Sequence, residues 1–94
     1  MPAQRLSHDE IEARLSGGEW QREGDEIVRE RRFADFAAAI AFVNAVADAA
    51  ETANHHPDIL VHGYNRVRLS LTNHSAGGIT QADFDLAATI DALA

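Results

Sequence analysis

The chain has 94 residues, of which 46% are hydrophobic and 24% charged, a composition typical of one globular domain rather than of a disordered segment. Its formal charge of -7 argues against direct binding to nucleic acid, which requires a basic surface. The absence of cysteine excludes disulfides and thiolate sites, and the absence of lysine excludes Schiff-base chemistry. We predict one domain over residues 1–94, cytoplasmic and without a membrane partner, because no apolar run resembles a signal peptide or a membrane span.

The first predicted helix begins after Ser7, which has the features of a helix cap. Ser7 and Glu10 have the spacing of a capping box, and Leu6 with Ile11 forms a hydrophobic staple around them. The glycine pair at positions 17–18 supplies the left-handed backbone that often ends a helix. This helix is therefore predicted to be short.

Two segments of strand length follow, at positions 19–23 and 26–33. Gly24 and Asp25 lie between them and are typical of a tight turn, so we predict a β-hairpin. The strands carry many charges, which suits a sheet with one solvated face or a protected edge.

The longest helix is predicted at positions 35–53, where apolar residues recur with helical spacing. Asn54 can adopt the left-handed conformation that ends a helix, and Pro57 prevents the helix from resuming. The predicted inner stripe consists of Phe36, Ile40, Val43, Ala47 and Ala50.

A second hairpin and a last helix complete the chain. The strands are predicted at positions 58–63 and 66–73, and apolar and polar residues alternate clearly in the second of them. Tyr64 and Asn65 lie in the turn between them. The last helix is predicted from a cap at Thr80, with Leu86, Ile90 and Leu93 as its inner stripe.

The predicted order of elements is α-β-β-α-β-β-α. Two antiparallel hairpins and three amphipathic helices predict an α+β fold of two layers, with the helices on one face of a four-stranded antiparallel sheet. A small core and open sheet edges also predict a homo-oligomer, formed by strand pairing or by helix packing.

Three of the five histidines are predicted to meet at one end of the second hairpin. If this hairpin turns about Tyr64 and Asn65, the numbers of cross-strand partners add to about 129, because an antiparallel pair is symmetric about its turn. The numbers of His55 and His74 add to 129. His55 and His56 should therefore enter the sheet beside the point where His74 leaves it.

These imidazoles could line one small cleft, with Asn54 and Asp83 at nearby helix ends as hydrogen-bond partners. Imidazole has a pKa of about 6.5, so a histidine cluster can hold a proton donor and a proton acceptor at neutral pH, as general acid–base catalysis requires. A single histidine at the end of an element is more often a polar surface residue, and Asp83 is also explained as a capping-box residue. His8 and His62 lack such neighbours and are interpreted as structural.

Metal binding is the other chemistry that three histidines can provide, in an open site with water as the fourth ligand. Neighbouring residues of an extended segment point to opposite sides, so His55 and His56 are poorly placed to bind one ion. We predict that the site contains no metal.

The spacing of these residues resembles that of the pterin-4a-carbinolamine dehydratases. The family pattern is an acidic residue, a His-His-Pro run, an aromatic residue, a further histidine and an aspartate. Glu51, His55-His56-Pro57, Tyr64, His74 and Asp83 match it in order and spacing. The looser resemblance covers essentially the whole chain, and the combined spacing is specific, whereas His-His-Pro alone is not.

The resemblance implies an enzyme, a hydro-lyase that dehydrates 4a-hydroxytetrahydropterin to quinonoid dihydropterin without metal or organic cofactor. It implies that His55, His56 and His74 carry the acid–base chemistry. Pro57 would shape the corner, and Asp83 would orient or charge a histidine. It further implies a homodimer or homotetramer that recycles the reduced pterin of an aromatic amino acid hydroxylase.

Two features limit the resemblance. Asn54 occupies a position that is often aspartate in the family, so a carboxylate beside the histidine pair is absent there. Proteins of this fold are also known as a dimerisation cofactor of a transcription factor and as a Rubisco assembly chaperone. A non-enzymatic interaction module is therefore the alternative prediction, although such a module need not retain the three histidines.

Overall fold

The computed structural model describes residues 4–93, so the first three residues and the last residue of the predicted domain lie outside the described residues. Three helices and four strands follow one another in the predicted order α-β-β-α-β-β-α. They are α1 (His8–Leu15), β1 (Gln21–Glu23), β2 (Glu26–Arg32), α2 (Phe36–Ala53), β3 (Asp58–His62), β4 (Arg66–Leu71) and α3 (Gln81–Asp91).

The four strands form one antiparallel sheet with the spatial order β1-β2-β4-β3. Strands β2 and β4 lie in the centre, and their pairing runs from Ile27 opposite Leu71 to Arg32 opposite Arg66. The short β1 and the more exposed β3 form the two edges. Because β3 and β4 are antiparallel neighbours, the beginning of β3 and the end of β4 occur at the same end of the sheet.

One hydrophobic core joins all three helices to one face of the sheet, as predicted. The alternation predicted for β4 is confirmed, because its apolar residues are buried and the polar residues between them are not fully buried. The core residues include Ile11 of α1, Phe42 and Val46 of α2, Leu86 and Ile90 of α3, and Ile27, Val67, Leu69 and Leu71 of the sheet.

The predicted capping box of α1 is confirmed. The backbone N–H of Ser7 donates to Glu10 Oε1 at 2.9 Å, and the backbone N–H of Glu10 donates to Ser7 Oγ at 3.2 Å. The hydrogen bond from the Ser7 backbone lowers the pKa of the Glu10 carboxyl, with smaller contributions from the Ser7 hydroxyl and Arg14. A lowered pKa means that this contribution to stability is present above the carboxyl's ordinary pKa and is lost as the pH falls through the lowered value.

Helix α2 has the predicted ends but not the predicted inner face. Asp35 accepts a hydrogen bond from the Ala38 N–H at 2.8 Å, and Asn54 ends the helix in the left-handed conformation with φ of 50°. The buried residues are Ala39, Phe42, Val46 and Ala50, so that of the predicted stripe only Ala50 is buried and Phe36 is 54% exposed.

An alanine-rich helix has apolar residues on more than one face, so several stripes fit the same helical period. Contact with the sheet selects one of them. The last helix shows a related difference: α3 ends at Asp91, and Leu93, predicted as part of its inner stripe, is 39% exposed.

Helix α2 is also long and apolar enough, by length and composition alone, to cross a membrane. Core helices of globular proteins meet the same criterion. In this fold α2 begins at a capped N-terminus and packs four residues into the core that it shares with the sheet. We therefore interpret α2 as a core helix.

The strand pairing of the second hairpin is shifted by one residue from the predicted register. Its last strand pair is His62 opposite Arg66, and paired residue numbers add to 128 rather than to 129. The loop is centred on Tyr64, whose φ is 57°. Asn65 lies outside the hairpin pairing because its carbonyl accepts the Phe33 N–H at 2.8 Å and its side chain donates to the Phe33 carbonyl at 3.0 Å.

Candidate functional site

A sharp corner between α2 and β3 carries the adjacent histidines. Asn54 ends α2, and the backbone N–H of His55 donates to the Ala50 carbonyl at 3.1 Å. Pro57 follows the histidine pair and has no N–H for strand pairing, and β3 begins at the next residue. The two imidazoles are therefore held between a helix end and the start of a strand.

The first of these histidines contacts a buried carboxylate. His55 Nε2 forms a short hydrogen bond with Asp83 Oδ1, and the Asp83 side chain is fully buried. The other oxygen of Asp83 accepts the backbone N–H of Thr80 at 2.8 Å at the beginning of α3. Asp83 thus joins the N-terminus of α3 to His55, whose side chain is only 16% exposed.

The second histidine also contacts a carboxylate, in a more exposed position. His56 Nε2 lies 2.5 Å from Glu51 Oε2, and the two side chains are 59% and 76% exposed. Sequence reasoning included Glu51 in the motif but did not place it at the site. Glu51 supplies the carboxylate that is absent at Asn54, and its place in the last turn of α2 was the available signal.

These two contacts fix how each ring is presented. An ionised carboxylate can only accept hydrogen bonds, so Nε2 of each imidazole is the donor. A neutral ring then has Nδ1 as its acceptor, and a protonated ring can donate from Nδ1. His55 and His56 can therefore each take up or deliver a proton at Nδ1 while a carboxylate holds the opposite nitrogen.

His74 lies in a tight loop directly after β4. The two backbone hydrogen bonds between Asn73 and Gly78, at 3.0 and 3.2 Å, close this loop, and Gly77 has a φ of 75°. The imidazole of His74 is exposed and has no hydrogen bond to residues 4–93. The loop therefore fixes the backbone at His74 while its ring remains accessible.

The three histidines occur at the same end of the sheet and are not hydrogen-bonded to one another within the described chain. His55 lines a depression of about 200 Å³ between α2 and α3. His74 lines another depression, of about 300 Å³, together with Asp25, Glu26 and Thr72. These two depressions share no lining residue, and the single small cleft expected from the hairpin arithmetic remains a prediction.

The remaining candidate residues have different surroundings. Asn54 is exposed, its backbone N–H donates to the Glu51 carbonyl at 3.2 Å, and its side chain makes no hydrogen bond to a histidine of the described chain. His62 pairs with Glu30 at 2.6 Å across the solvated face of the sheet. Within residues 4–93, no three histidine or acidic side chains are grouped closely enough to hold a metal ion.

Comparison with known proteins places the whole described chain in one family. The sequence profile described as "Pterin 4 alpha carbinolamine dehydratase" matches residues 4–93. A protein of Acidobacterium capsulatum is 56% identical over 90 residues, which cover 95% of this chain and 97% of the relative. A protein of Chloroflexus aurantiacus is 58% identical over 88 residues, which cover 93% of this chain and 94% of the relative. Both relatives are provisionally named pterin-4-alpha-carbinolamine dehydratase.

Solved structures show the same fold. A transcriptional coactivator/pterin dehydratase from Brucella melitensis superimposes with a TM-score of 0.90 at 34% identity, covering 97% of this chain and 99% of that one. A pterin dehydratase-like protein identified as a RuBisCO assembly factor in the alpha-carboxysome superimposes with a TM-score of 0.63 at 28% identity. The superposition covers 79% of this chain and 84% of that one. On its sequence, its fold and the order of its histidine motif, this chain belongs to the pterin 4 alpha carbinolamine dehydratase family.

Proposed function

We propose that this protein dehydrates 4a-hydroxytetrahydropterin to quinonoid dihydropterin by histidine acid–base catalysis. The observation that carries the proposal is the pair of adjacent imidazoles, each hydrogen-bonded at Nε2 to a carboxylate from a different helix. The family relationship supplies the class of substrate. No metal or organic cofactor takes part in the proposed reaction.

The reaction removes one molecule of water from the substrate. The bond between C4a and the hydroxyl oxygen breaks, N5 loses its proton, and a double bond forms between these two ring atoms. One catalytic group must protonate the departing oxygen, and another must accept the proton from N5. His55, His56 and His74 are the proposed acid–base groups, because Nδ1 of the first two and the whole ring of the third are available to a substrate.

The carboxylates act as positioning residues in this proposal. Asp83 holds His55 from a fully buried position, so it fixes both the ring orientation and the protonated nitrogen. Glu51 does the same for His56 from an exposed position, where an ion pair contributes little to stability. Pro57 keeps both histidines at the corner because it prevents α2 from resuming after Asn54 and has no N–H for strand pairing.

Dehydratase activity can be tested by following the decay of 4a-hydroxytetrahydropterin. We expect the wild-type protein to accelerate the decay above the buffer rate, and His56→Ala and His74→Ala to lose most of this acceleration. His62→Ala is the matched control, because His62 pairs with Glu30 on the solvated sheet face. Decay at the buffer rate with the wild-type protein, or equal rates for all four proteins, would exclude the catalytic role.

A non-enzymatic interaction module is the alternative, and the structural similarity to a RuBisCO assembly factor favours it. A ligand that binds only the native state raises the melting temperature by mass action. The enzyme proposal therefore predicts a higher melting temperature in saturating reduced pterin. An unchanged melting temperature, together with inactivity, would favour the module.

We further propose that the protein acts in the cytoplasm as a homodimer or homotetramer, serving an aromatic amino acid hydroxylase that consumes the reduced pterin. The edge strand β3 exposes 37% of Ile59 and 53% of Leu60, and α2 exposes 54% of Phe36. Apolar side chains on an open edge or helix face are suited to contact with a second copy.

Light scattering at micromolar concentration should give a mass of at least twice the monomer mass of 10.2 kDa. Leu60→Lys should shift the protein towards the monomer if the strands pair, whereas Phe36→Lys should do so if the helices pack. A wild-type mass equal to that of the monomer would contradict the proposal.

A further inference from the structure

A polar depression of about 400 Å³ lies at the beginning of α1, apart from the histidine pair. We call it the arginine depression, and Arg5, His8 and Arg22 supply its cationic and N–H groups. Glu10 and Asp25 also line it. The chain has 15 acidic residues and 8 arginines, and two of the arginines line this one depression.

Neither guanidinium group forms an ion pair with the two carboxylates, of Glu10 and Asp25, that also line the depression. Elsewhere in the described chain, Arg29 pairs with Glu19 at 2.8 Å and Arg68 pairs with Glu23 at 2.7 Å. Within residues 4–93, Arg5 and Arg22 form no ion pair. The Glu10 carboxylate accepts the Ser7 N–H in the capping box of α1 instead.

His8 adds a third donor to the arginine depression. Arg22 Nη1 lies 3.0 Å from His8 Nδ1, and Arg22 Nε donates to the Gly24 carbonyl at 2.9 Å. A guanidinium can only donate, so Nδ1 of His8 must accept, and its Nε2 carries the proton. Arg5, Arg22 and His8 therefore all present N–H groups, which suits an anion with several acceptor oxygens.

The arginine depression adjoins the depression that contains His74. Asp25 lines both of them. Gly78, which lines the His74 side, is packed against Arg5: a Cβ atom at this position would lie 2.6 Å from Arg5 Cδ. The absence of a side chain at Gly78 thus allows Arg5 to lie along the boundary between the two depressions.

We propose that the arginine depression binds a phosphate group carried by the side chain of a reduced pterin whose ring lies beside His74. This inference rests on the proposed dehydratase function for the identity of the ring. The phosphate oxygens accept hydrogen bonds from the guanidinium of Arg5, the free N–H groups of Arg22 and Nε2 of His8. Arginine is suited to this role because its planar fork of donors matches the spacing of phosphate oxygens.

Phosphate binding can be measured without turnover. Inorganic phosphate is titrated against the full chain while the ring and side-chain N–H signals of His8, Arg5 and Arg22 are followed by NMR. We expect saturable shifts for these groups, and at least tenfold weaker binding in the double variant Arg5→Gln/Arg22→Gln. The control Arg14→Gln removes an arginine outside the depression, whose Nε donates to Gln81, and should bind phosphate as the wild type does.

The second experiment asks whether the phosphate belongs to a pterin. Two 7,8-dihydropterins, with and without a phosphate monoester on the side chain at C6, are compared by calorimetry. We expect the phosphorylated compound to bind at least tenfold more tightly, and this advantage to disappear in Arg5→Gln/Arg22→Gln. Gly78→Ala, which displaces Arg5 without removing charge, should reduce the same advantage.

These measurements separate the inference from the proposed function. Equal affinity for the two pterins, phosphate binding that does not saturate, or equal weakening by Arg14→Gln would overturn the phosphate site. Failure of both pterins to bind, with phosphate still bound at the arginine depression, would overturn its link to a pterin and count against the dehydratase. A folded state of every variant is checked by circular dichroism.

Discussion

Asp83→Asn is expected to lower kcat by about 10²-fold or more, because a positioned acid or base contributes about 10²–10⁴-fold to such reactions. One oxygen of the Asp83 carboxylate accepts from His55, and the other accepts the backbone N–H of Thr80 at 2.8 Å and its hydroxyl at 3.5 Å. An amide has a single oxygen, so one of these donors must face an NH2 group. If the ring of His55 adapts by moving its proton to Nδ1, it loses the acceptor that the proposed reaction uses.

The same substitution should also lower the free energy of unfolding, by about 1–3 kcal/mol, since a buried donor is left without its acceptor. Asp48→Asn is the matched control, because Asp48 is an exposed acidic residue of α2 whose side chain forms no ion pair within residues 4–93. The measurements are kcat and KM for the dehydration and urea unfolding of both variants.

A double-mutant cycle distinguishes positioning from general destabilisation. If Asp83 acts through His55, then Asp83→Asn should cost little further activity in a protein that already carries His55→Ala. Independent, additive losses would contradict the positioning role. Unchanged kcat in a folded Asp83→Asn protein would contradict it as well.

Leu69→Ala is expected to lower the free energy of unfolding by about 2–5 kcal/mol, the usual cost of removing a large side chain from a packed core. Leu69 is 1% exposed and lies on the central strand β4, opposite Arg29 on one side and Ile59 on the other. Since small domains are stable by only about 5–15 kcal/mol, this single change is a large fraction of the total.

Leu93→Ala is the matched control, because it is the same chemical change at a residue that is 39% exposed. We expect it to cost less than about 1 kcal/mol. Urea unfolding at one fixed protein concentration measures both variants, since association would make stability depend on concentration. A similar loss of free energy of unfolding in the two variants would contradict the prediction and would show that Leu93 belongs to the core.

Local features of this fold could be predicted because each depends on residues close together in the chain. Ser7 and Glu10 are three positions apart, and their hydrogen bonds form within one turn of α1. Asn54 ends α2 in the predicted left-handed conformation, as it can with little steric cost. The inner face of α2 could not be chosen in this way, because its alanines make several faces equally apolar.

The candidate site also combines features that the sequence predicted with features that depend on packing. The order and spacing of His55, His56, His74 and Asp83 indicated the family, and the structure brings Asp83 to His55. The contact between Glu51 and His56 depends on where the chain leaves α2. The surroundings of His55 and His74 depend on how α3 and the loop after β4 pack.

The sequence alone therefore determined the order of the elements, the corner at Pro57 and the family motif that contains the candidate residues, because caps, turns and alternation are short-range effects. Only the tertiary structure decided which face of α2 is buried, that the second hairpin is centred on Tyr64, and which carboxylate holds which imidazole. These features arise from contacts between residues that are distant in sequence, and such contacts are selected by the packing of the whole core rather than by any local pattern.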